Sequence, residues 1–190
     1  MVITQVGVTQ NHTKNPQRFA KDIFLLVLCG TVATLKHIEN RIKMQPTKVT
    51  LSEKAVEIIY QHGREAFPNE CCGFLYGDEK NGRVIELAVP AHNSKEGDQR
   101  KRFEISPFDY MKAEQFALQN NTQLLGIYHS HPNHPAIASE RDRAEAMPFF
   151  SYVIVSVVDG EIDDLKSWKL KEEARVFDEE KVELLKAIES

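Results

Sequence analysis

The hydrophobic positions of the chain follow two different periods, which predict alternating helices and strands. Apolar residues recur every three or four positions from about Ser52 to Ala66, which is the spacing of one helical face. Pro68 ends this predicted helix because proline lacks the backbone donor that a helix needs. The segments Cys72 to Tyr76 and Arg83 to Val89 predict two strands, joined by Asn81-Gly82, a dipeptide typical of tight hairpin turns.

The second half of the chain continues this alternation. The further predicted elements are a strand at Phe103–Ile105, a helix begun by Ser106-Pro107 and closed by Asn120-Asn121, a strand at Leu124–Tyr128, a helix from Ser139 to Met147, strands at Tyr152–Val158 and around Trp168 and Leu170, and a helix from Glu179 to Ile188. The first helix is expected to begin in a capping box formed by Thr50 and Glu53. Interleaved strands and helices predict an α/β domain built on a mixed, curved sheet.

One segment of seventeen residues, Gly126 to Asp142, concentrates the residues that could carry chemistry. His129 and His131 lie two apart on a predicted strand, so both imidazoles face the same side. Ser139 and Asp142 lie three apart and share one face of a helix's first turn. Two neutral imidazoles and a carboxylate that converge from a strand and a helix suit zinc, with a fourth position open to water.

Each half of this segment also has a simpler interpretation. Ser139 and Asp142 form the pattern of a helix capping box, and a His-x-His pair on a strand can be ordinary polar surface. The conjunction of both patterns with a prolyl loop, within fourteen residues, favours the metal site.

The same residues resemble the signature of the JAMM (MPN+) zinc metalloproteases, in particular their compact prokaryotic members. The signature consists of His129-x-His131, seven residues, and Ser139-x-x-Asp142. An upstream glutamate completes it, and Pro68 to Gly77, which contains Glu70, resembles that segment. The similarity extends from about Leu51 to Trp168. It implies a single MPN-type domain, residues 44–190, with a highly curved sheet, a helix on each side, and the metal at one edge.

The resemblance also implies a role for each residue of the signature. His129, His131 and Asp142 would bind one zinc ion per chain, Glu70 would be the general base that later protonates the leaving amine, and Ser139 would hydrogen-bond the oxyanion or the water. The implied reaction is hydrolysis of an amide bond in a protein or peptide, with the diglycine C-terminus of a ubiquitin-like or sulfur-carrier protein as one candidate substrate. The alternative is a non-catalytic interaction scaffold of the same fold, although scaffold members lose ligands and this chain keeps the full set.

Charge and cysteine content narrow the partners and the compartment. The 24 basic and 28 acidic residues give a net charge of −4, which offers no general attraction to nucleic acid or to an anionic membrane. Three cysteines do not form a disulfide framework, so we expect a cytoplasmic protein. Cys71 and Cys72 are expected to be structural, with one of them facing the core.

Residues 1–43 differ from the rest of the chain in lacking caps and periodicity. The apolar run that starts at Ile23 reaches only about Leu35, which is too short for a membrane-spanning helix of about 20 residues. Arg18 and Lys21 precede the run, as in a signal peptide, but Asp22 and the lack of a clean small-x-small cleavage site weaken that interpretation. We favour an N-terminal extension outside the domain core, with Met44 as the natural start.

Overall fold

Strands and helices alternate along the part of the chain that the structure describes. The structure is a computed structural model that describes residues 47–80, 82–171, 173 and 175–185. In chain order the elements are β1 (Lys48–Ser52), α1 (Glu53–Ala66), β2 (Cys72–Asp78), β3 (Arg83–Ala91), α2 (Pro107–Gln119), β4 (Gln123–Pro132), α3 (Glu140–Glu145), β5 (Ser151–Val158), β6 (Glu161–Lys171) and β7 (Val176–Leu185). The predicted elements between α1 and β6 are largely confirmed.

The strands form one mixed sheet that curves until its two edges meet. The strand order is β1-β3-β2-β4-β5-β6-β7, and β7 pairs with β1 to close the barrel. Three pairs are parallel, namely β1 with β3, β1 with β7, and β4 with β5, whereas the other pairs are antiparallel. The prediction of an α/β domain on a mixed, curved sheet is confirmed.

Each face of the sheet is covered by its own hydrophobic cluster and its own helix. Alternate residues of β2 divide between the clusters: Leu75 packs on the face that carries Ala55 and Ile59 of α1, whereas Phe74 packs with Ala113 of α2. Cys71 and Cys72 divide in the same way and are both buried. Burial raises the pKa of Cys71 to about 11 and that of Cys72 to about 12, so both thiols are packing residues. The expectation that only one of them faces a core is wrong because both faces are covered.

The start of the domain differs from the prediction. Ser52 caps α1 by accepting a hydrogen bond from the Ala55 backbone N–H. Thr50, the predicted capping residue, lies inside β1, a strand that the sequence analysis missed. Val49 and Leu51 of this strand are fully buried. Pairing of β1 with strands on both sides therefore overrides the local capping signal.

The predicted helix from Glu179 to Ile188 is wrong. Residues 176–185 form β7, which pairs with β6 on one side and β1 on the other. The apolar spacing and the glutamates favour a helix locally, but two neighbouring strands offer backbone partners to the whole segment, and that tertiary pairing decides the conformation. Ile188 lies outside the described residues.

Two further predicted elements differ from the structure, and the predicted extension cannot be compared with it. Phe103–Ile105 is not a strand, and α3 ends at Glu145 before the predicted Met147. The proposed extension, residues 1–43, lies outside the described residues. Among the described residues, no helix is both long enough and apolar enough to cross a membrane.

Candidate metal centre

The two histidines of the motif lie near the end of β4, with their Nε2 atoms close together. His129 is fully buried and His131 is partly exposed, and their Nε2 atoms are 3.1 Å apart. Asp142 approaches both from α3, with its Oδ1 3.5 Å from His129 Nε2 and its Oδ2 3.9 Å from His131 Nε2. Strand and helix therefore bring the three predicted ligands into one cluster.

A capping box places the Asp142 carboxylate. The Ser139 Oγ accepts a hydrogen bond from the Asp142 N–H at 3.2 Å, and Asp142 Oδ2 accepts one from the Ser139 N–H at 2.6 Å. The capping interpretation and the metal interpretation are thus compatible, because the carboxylate that closes the cap also faces the imidazoles. Capping leaves the hydroxyl hydrogen of Ser139 able to donate elsewhere.

The distances between the two imidazole nitrogens and the carboxylate oxygens are close to those around one tetrahedral cation. Ligand atoms that each lie about 2.0–2.1 Å from a tetrahedral zinc are about 3.4 Å from one another. The two Nε2 atoms are 3.1 Å apart, and each has one of the two Asp142 carboxylate oxygens at 3.5 or 3.9 Å, so the distances lie on both sides of that value. Two imidazoles and one carboxylate are also the donor set of catalytic zinc sites that keep a position open. The residues present therefore fit zinc.

The second nitrogen of each imidazole gives a further test of this fit. His131 Nδ1 lies 2.8 Å from the Pro135 carbonyl oxygen, so its N–H can donate there and leave Nε2 unprotonated for a cation. His129 Nδ1 is buried without a hydrogen-bond partner in the described structure, and the His129 ring stacks on Phe103 with 4.6 Å between centroids. Burying a polar atom without a hydrogen-bond partner raises the free energy of the folded state. A bond from His129 Nε2 to a cation would offset that destabilisation.

The charge states of the cluster suit cation binding. Burial lowers the pKa of His129, against the opposing effect of Asp142, so this imidazole is neutral at pH 7. Burial alone would raise the pKa of Asp142, but His129, the hydrogen bonds with Ser139 and His131 together hold it below the ordinary value. Asp142 is therefore an anion at neutral pH and His129 a neutral donor, which are the forms that bind metal.

Glu70 lies just before β2 and faces the same cavity. Its side chain is 8% exposed. Burial raises the pKa of Glu70 to about 8, with a further increase from Asp142 and an opposing effect from Arg141. A carboxyl group with a pKa near neutrality can both accept and donate a proton at physiological pH.

A cavity of about 510 Å³ joins these residues. Glu70, His131, Ser139 and Asp142 lie on its wall, together with the basic side chains of Lys101, Arg102 and Arg141 and the apolar side chains of Phe103, Pro135 and Ile137. The volume is typical of a site that encloses a short peptide segment or a small molecule.

A comparison with protein families identifies the domain. The family model described as prokaryotic homologs of the JAB domain matches residues 52–171. The chain belongs to this family. The predicted resemblance to the prokaryotic JAMM/MPN proteins and the predicted MPN-type fold are confirmed.

Individual relatives of this JAB-family chain include named enzymes. It is 30% identical over 118 residues to a desampylase of Haloferax volcanii, an alignment that covers 60% of this chain and 84% of the relative. It is 31% identical over 107 residues to a desampylase of Pyrococcus furiosus, covering 56% of this chain and 71% of the relative. Its fold is similar to the solution structure of a protein from Desulfitobacterium hafniense, with a TM-score of 0.64 and 31% identity over 74% of this chain and 95% of the other.

Within this JAB domain, four of the five predicted site residues line one cavity, and the fifth, His129, is fully buried within the donor cluster. His134 of the same loop is not part of that cluster. The sequence analysis missed two residues that hold the site in place. The Trp168 Nε1–H donates to the Ala136 carbonyl at 3.0 Å and so fixes the loop between His131 and Ser139. Asn93 bridges the Glu70 segment to a loop of the cavity wall. No local pattern marks either residue, because their partners are distant in sequence.

Proposed function

We propose that the protein is a zinc-dependent peptidase or isopeptidase that hydrolyses an amide bond in a protein substrate. The observation that carries this proposal is the convergence of His129, His131 and Asp142 within 4.8 Å of one another, beside a cavity whose wall includes His131, Asp142 and the buried Glu70. The similarity to two desampylases supports a hydrolase of this kind. We further propose one zinc ion per chain, bound through His129 Nε2, His131 Nε2 and the Asp142 carboxylate.

The candidate substrate is a ubiquitin-like or sulfur-carrier protein, cleaved after its C-terminal diglycine. The relatives named desampylase support a protein substrate, and a cavity of about 510 Å³ is large enough for a short extended segment. The chain's net charge of −4 does not favour nucleic acid. We place the reaction in the cytoplasm, where the buried thiols of Cys71 and Cys72 would stay reduced.

Glu70 and Ser139 have separate roles in the proposed reaction. When bound, zinc supplies a Lewis acid that polarises the substrate carbonyl and lowers the pKa of a coordinated water. Glu70 accepts a proton from the attacking water as the new C–O bond forms, and donates it to the amide nitrogen as the C–N bond breaks. The Ser139 hydroxyl donates a hydrogen bond to the developing oxyanion, a stabilisation of about 3 kcal/mol at such sites.

The proposal is tested with a ubiquitin-like or sulfur-carrier protein fused through its diglycine to a reporter peptide. Zinc-loaded wild type should release the reporter. Glu70→Gln, which keeps the size of the side chain but cannot accept a proton, should lose at least about 10²–10⁴-fold in kcat at equal zinc content. Glu104→Gln is the matched control, because Glu104 is exposed and is not among the residues that line the cavity. Near-normal turnover by Glu70→Gln would show that Glu70 is not the base.

A wild type that holds zinc yet cleaves no carrier of this class would favour the interaction scaffold. In that case the same carriers should bind without being cleaved, which titration calorimetry would detect.

A further inference from the structure

Asn93 is a buried polar residue whose side chain joins three separate pieces of the chain. Its Nδ2 donates to the Glu70 carbonyl at 3.0 Å and to the Arg102 carbonyl at 3.1 Å. Its Oδ1 accepts from the Lys95 and Glu104 backbone N–H groups, both at 3.1 Å. An asparagine side chain offers two donors and one oxygen with two lone pairs, so the full hydrogen-bonding capacity of Asn93 is used.

The backbone of Glu70 depends on this arrangement. Its carbonyl accepts from Asn93, and its N–H donates to the Gln99 carbonyl at 2.8 Å. Gln99 belongs to the same loop and is itself bonded to Asn93, since its Nε2 donates to the Asn93 carbonyl at 3.0 Å. Both backbone groups of Glu70 are therefore bonded to Asn93 or to the loop that Asn93 organises.

The next residue is fixed from the opposite side. The Cys71 N–H donates to Ser130 Oγ at 2.8 Å, and the Ser130 N–H donates to the Cys71 carbonyl at 3.1 Å. Ser130 lies between the two histidines on β4, so Cys71 is tied directly to the strand that carries His129 and His131. Glu70 is thus held between the metal-site strand on one side and the Asn93 loop on the other.

The same side chain places part of the cavity wall. Asn93 holds the Arg102 carbonyl and the Glu104 N–H, which flank Phe103, and Phe103 stacks on His129. One buried side chain therefore sets the distance between the Glu70 segment and the ring that packs against a candidate ligand. Asn93 itself is not among the residues that line the cavity.

We propose that Asn93 is a positioning residue that holds the Glu70 carboxyl group in its productive place relative to the metal site. This inference rests on the proposed function, in which Glu70 moves the proton. It predicts that loss of the Asn93 donors lowers kcat far more than it raises KM, with zinc content nearly unchanged, because Asn93 itself neither lines the cavity nor belongs to the donor cluster.

The test uses Asn93→Asp, which keeps an acceptor for Lys95 and Glu104 but has no N–H for the Glu70 and Arg102 carbonyls. We expect kcat to fall about 10–100-fold, the effect of a displacement of about 1 Å at a reacting group. The matched control is Ser94→Ala, which removes the 2.9 Å hydrogen bond from Ser94 Oγ to the Glu104 carbonyl in the same loop without touching Glu70. Its kcat should remain that of wild type. A fall in zinc content or a rise in KM with constant kcat would overturn the proposal.

Amide hydrogen exchange provides a measurement that does not depend on turnover. In Asn93→Asp the Glu70 N–H should exchange faster than in wild type, whereas the Cys71 N–H, which is bonded to Ser130, should change less. Unchanged exchange at Glu70, or faster exchange with unchanged kcat, would refute a positioning role. If wild type cleaves no substrate, the proposed function fails while this exchange pattern still decides whether Asn93 holds Glu70.

If Asn93→Asp does not fold, the wild type alone remains informative. Glu70, Lys95 and Glu104 should then show amide exchange with a common dependence on low urea concentrations, because one side chain holds them in a single cooperative unit. Independent urea dependences at the three amides would overturn the proposal.

Discussion

Replacing Glu70 with glutamine should stabilise the metal-free protein increasingly as the pH rises. The Glu70 carboxyl is 8% exposed, and its burial raises the pKa from 4.5 to about 8. An unfolded chain releases this proton near pH 4.5, whereas the folded protein keeps it until near pH 8. The favourable contribution of the protonated group is therefore complete below pH 4.5 and is lost as the pH rises through 8. Glutamine has no such proton to lose.

The size of the effect follows from the two pKa values. Each pKa unit corresponds to about 1.4 kcal/mol, so the shift from 4.5 to about 8 sets an upper limit of about 5 kcal/mol. Water reaches Glu70 through the open cavity and reduces the penalty of ionisation, so we expect about half of that limit, on the order of 2–3 kcal/mol.

Urea unfolding at pH 5 and pH 8.5, after removal of metal with a chelator, measures this difference. Between pH 5 and pH 8.5 the free energy of unfolding should fall by about 2–3 kcal/mol more in wild type than in Glu70→Gln. Glu104→Gln serves as the control, since its exposed side chain should leave the pH dependence of wild type unchanged. If the free energy of unfolding had the same pH dependence in wild type and Glu70→Gln, burial would not be disfavouring the ionised form of Glu70.

Three further predictions concern the metal, the domain boundary and the sheet. His131→Ala should lose zinc in elemental analysis, whereas His134→Ala, which removes an imidazole of the same loop outside the donor cluster, should keep one zinc per chain; full zinc in His131→Ala would contradict the ligand set. A chain starting at Met44 should melt at the same temperature as the full chain, whereas one starting at Glu53 lacks β1 and the buried Val49 and Leu51 and should fail to fold; loss of folding from Met44 would place earlier residues in the core. Arg83→Met should lower the free energy of unfolding by about 2–4 kcal/mol, because it deprives the Leu125 and Phe149 carbonyls of their donor. In the same urea titration the exposed Arg100→Met should behave as wild type.

The donor cluster could be predicted from the sequence because its geometry is local. His129 and His131 share a face through the period of a strand, and Ser139 and Asp142 share one through the first turn of a helix. Glu70 lies more than fifty residues away, and only the family resemblance connected it to the motif. Asn93 could not be found at all, because its role depends on backbone groups of Glu70, Arg102 and Glu104 that meet its side chain only in the folded chain.

Strand β7 shows a second reason why local sequence patterns can fail to predict an element. Its buried position Glu180 accepts a hydrogen bond from Ser167 Oγ of β6 at 2.7 Å, so a polar pair occupies a place where an apolar residue would have revealed the alternation of a strand. The remaining charges of the segment then match a helix equally well. The pairing that decides the structure is with β1 and β6, and no window of local sequence contains it.

Closure of the sheet has a consequence for synthesis on the ribosome. Thr50 of β1 pairs with Glu183 of β7, 133 positions later in the chain. At an elongation rate of about 5–20 residues per second, β1 emerges on the order of 10 s before the strand that completes its pairing. During that interval one edge of β1, with its apolar residues Val49 and Leu51, lacks its final partner, and an unpaired edge of this kind can recruit strands of other chains. Binding by a nascent-chain chaperone would therefore be most useful between the emergence of β1 and that of β7.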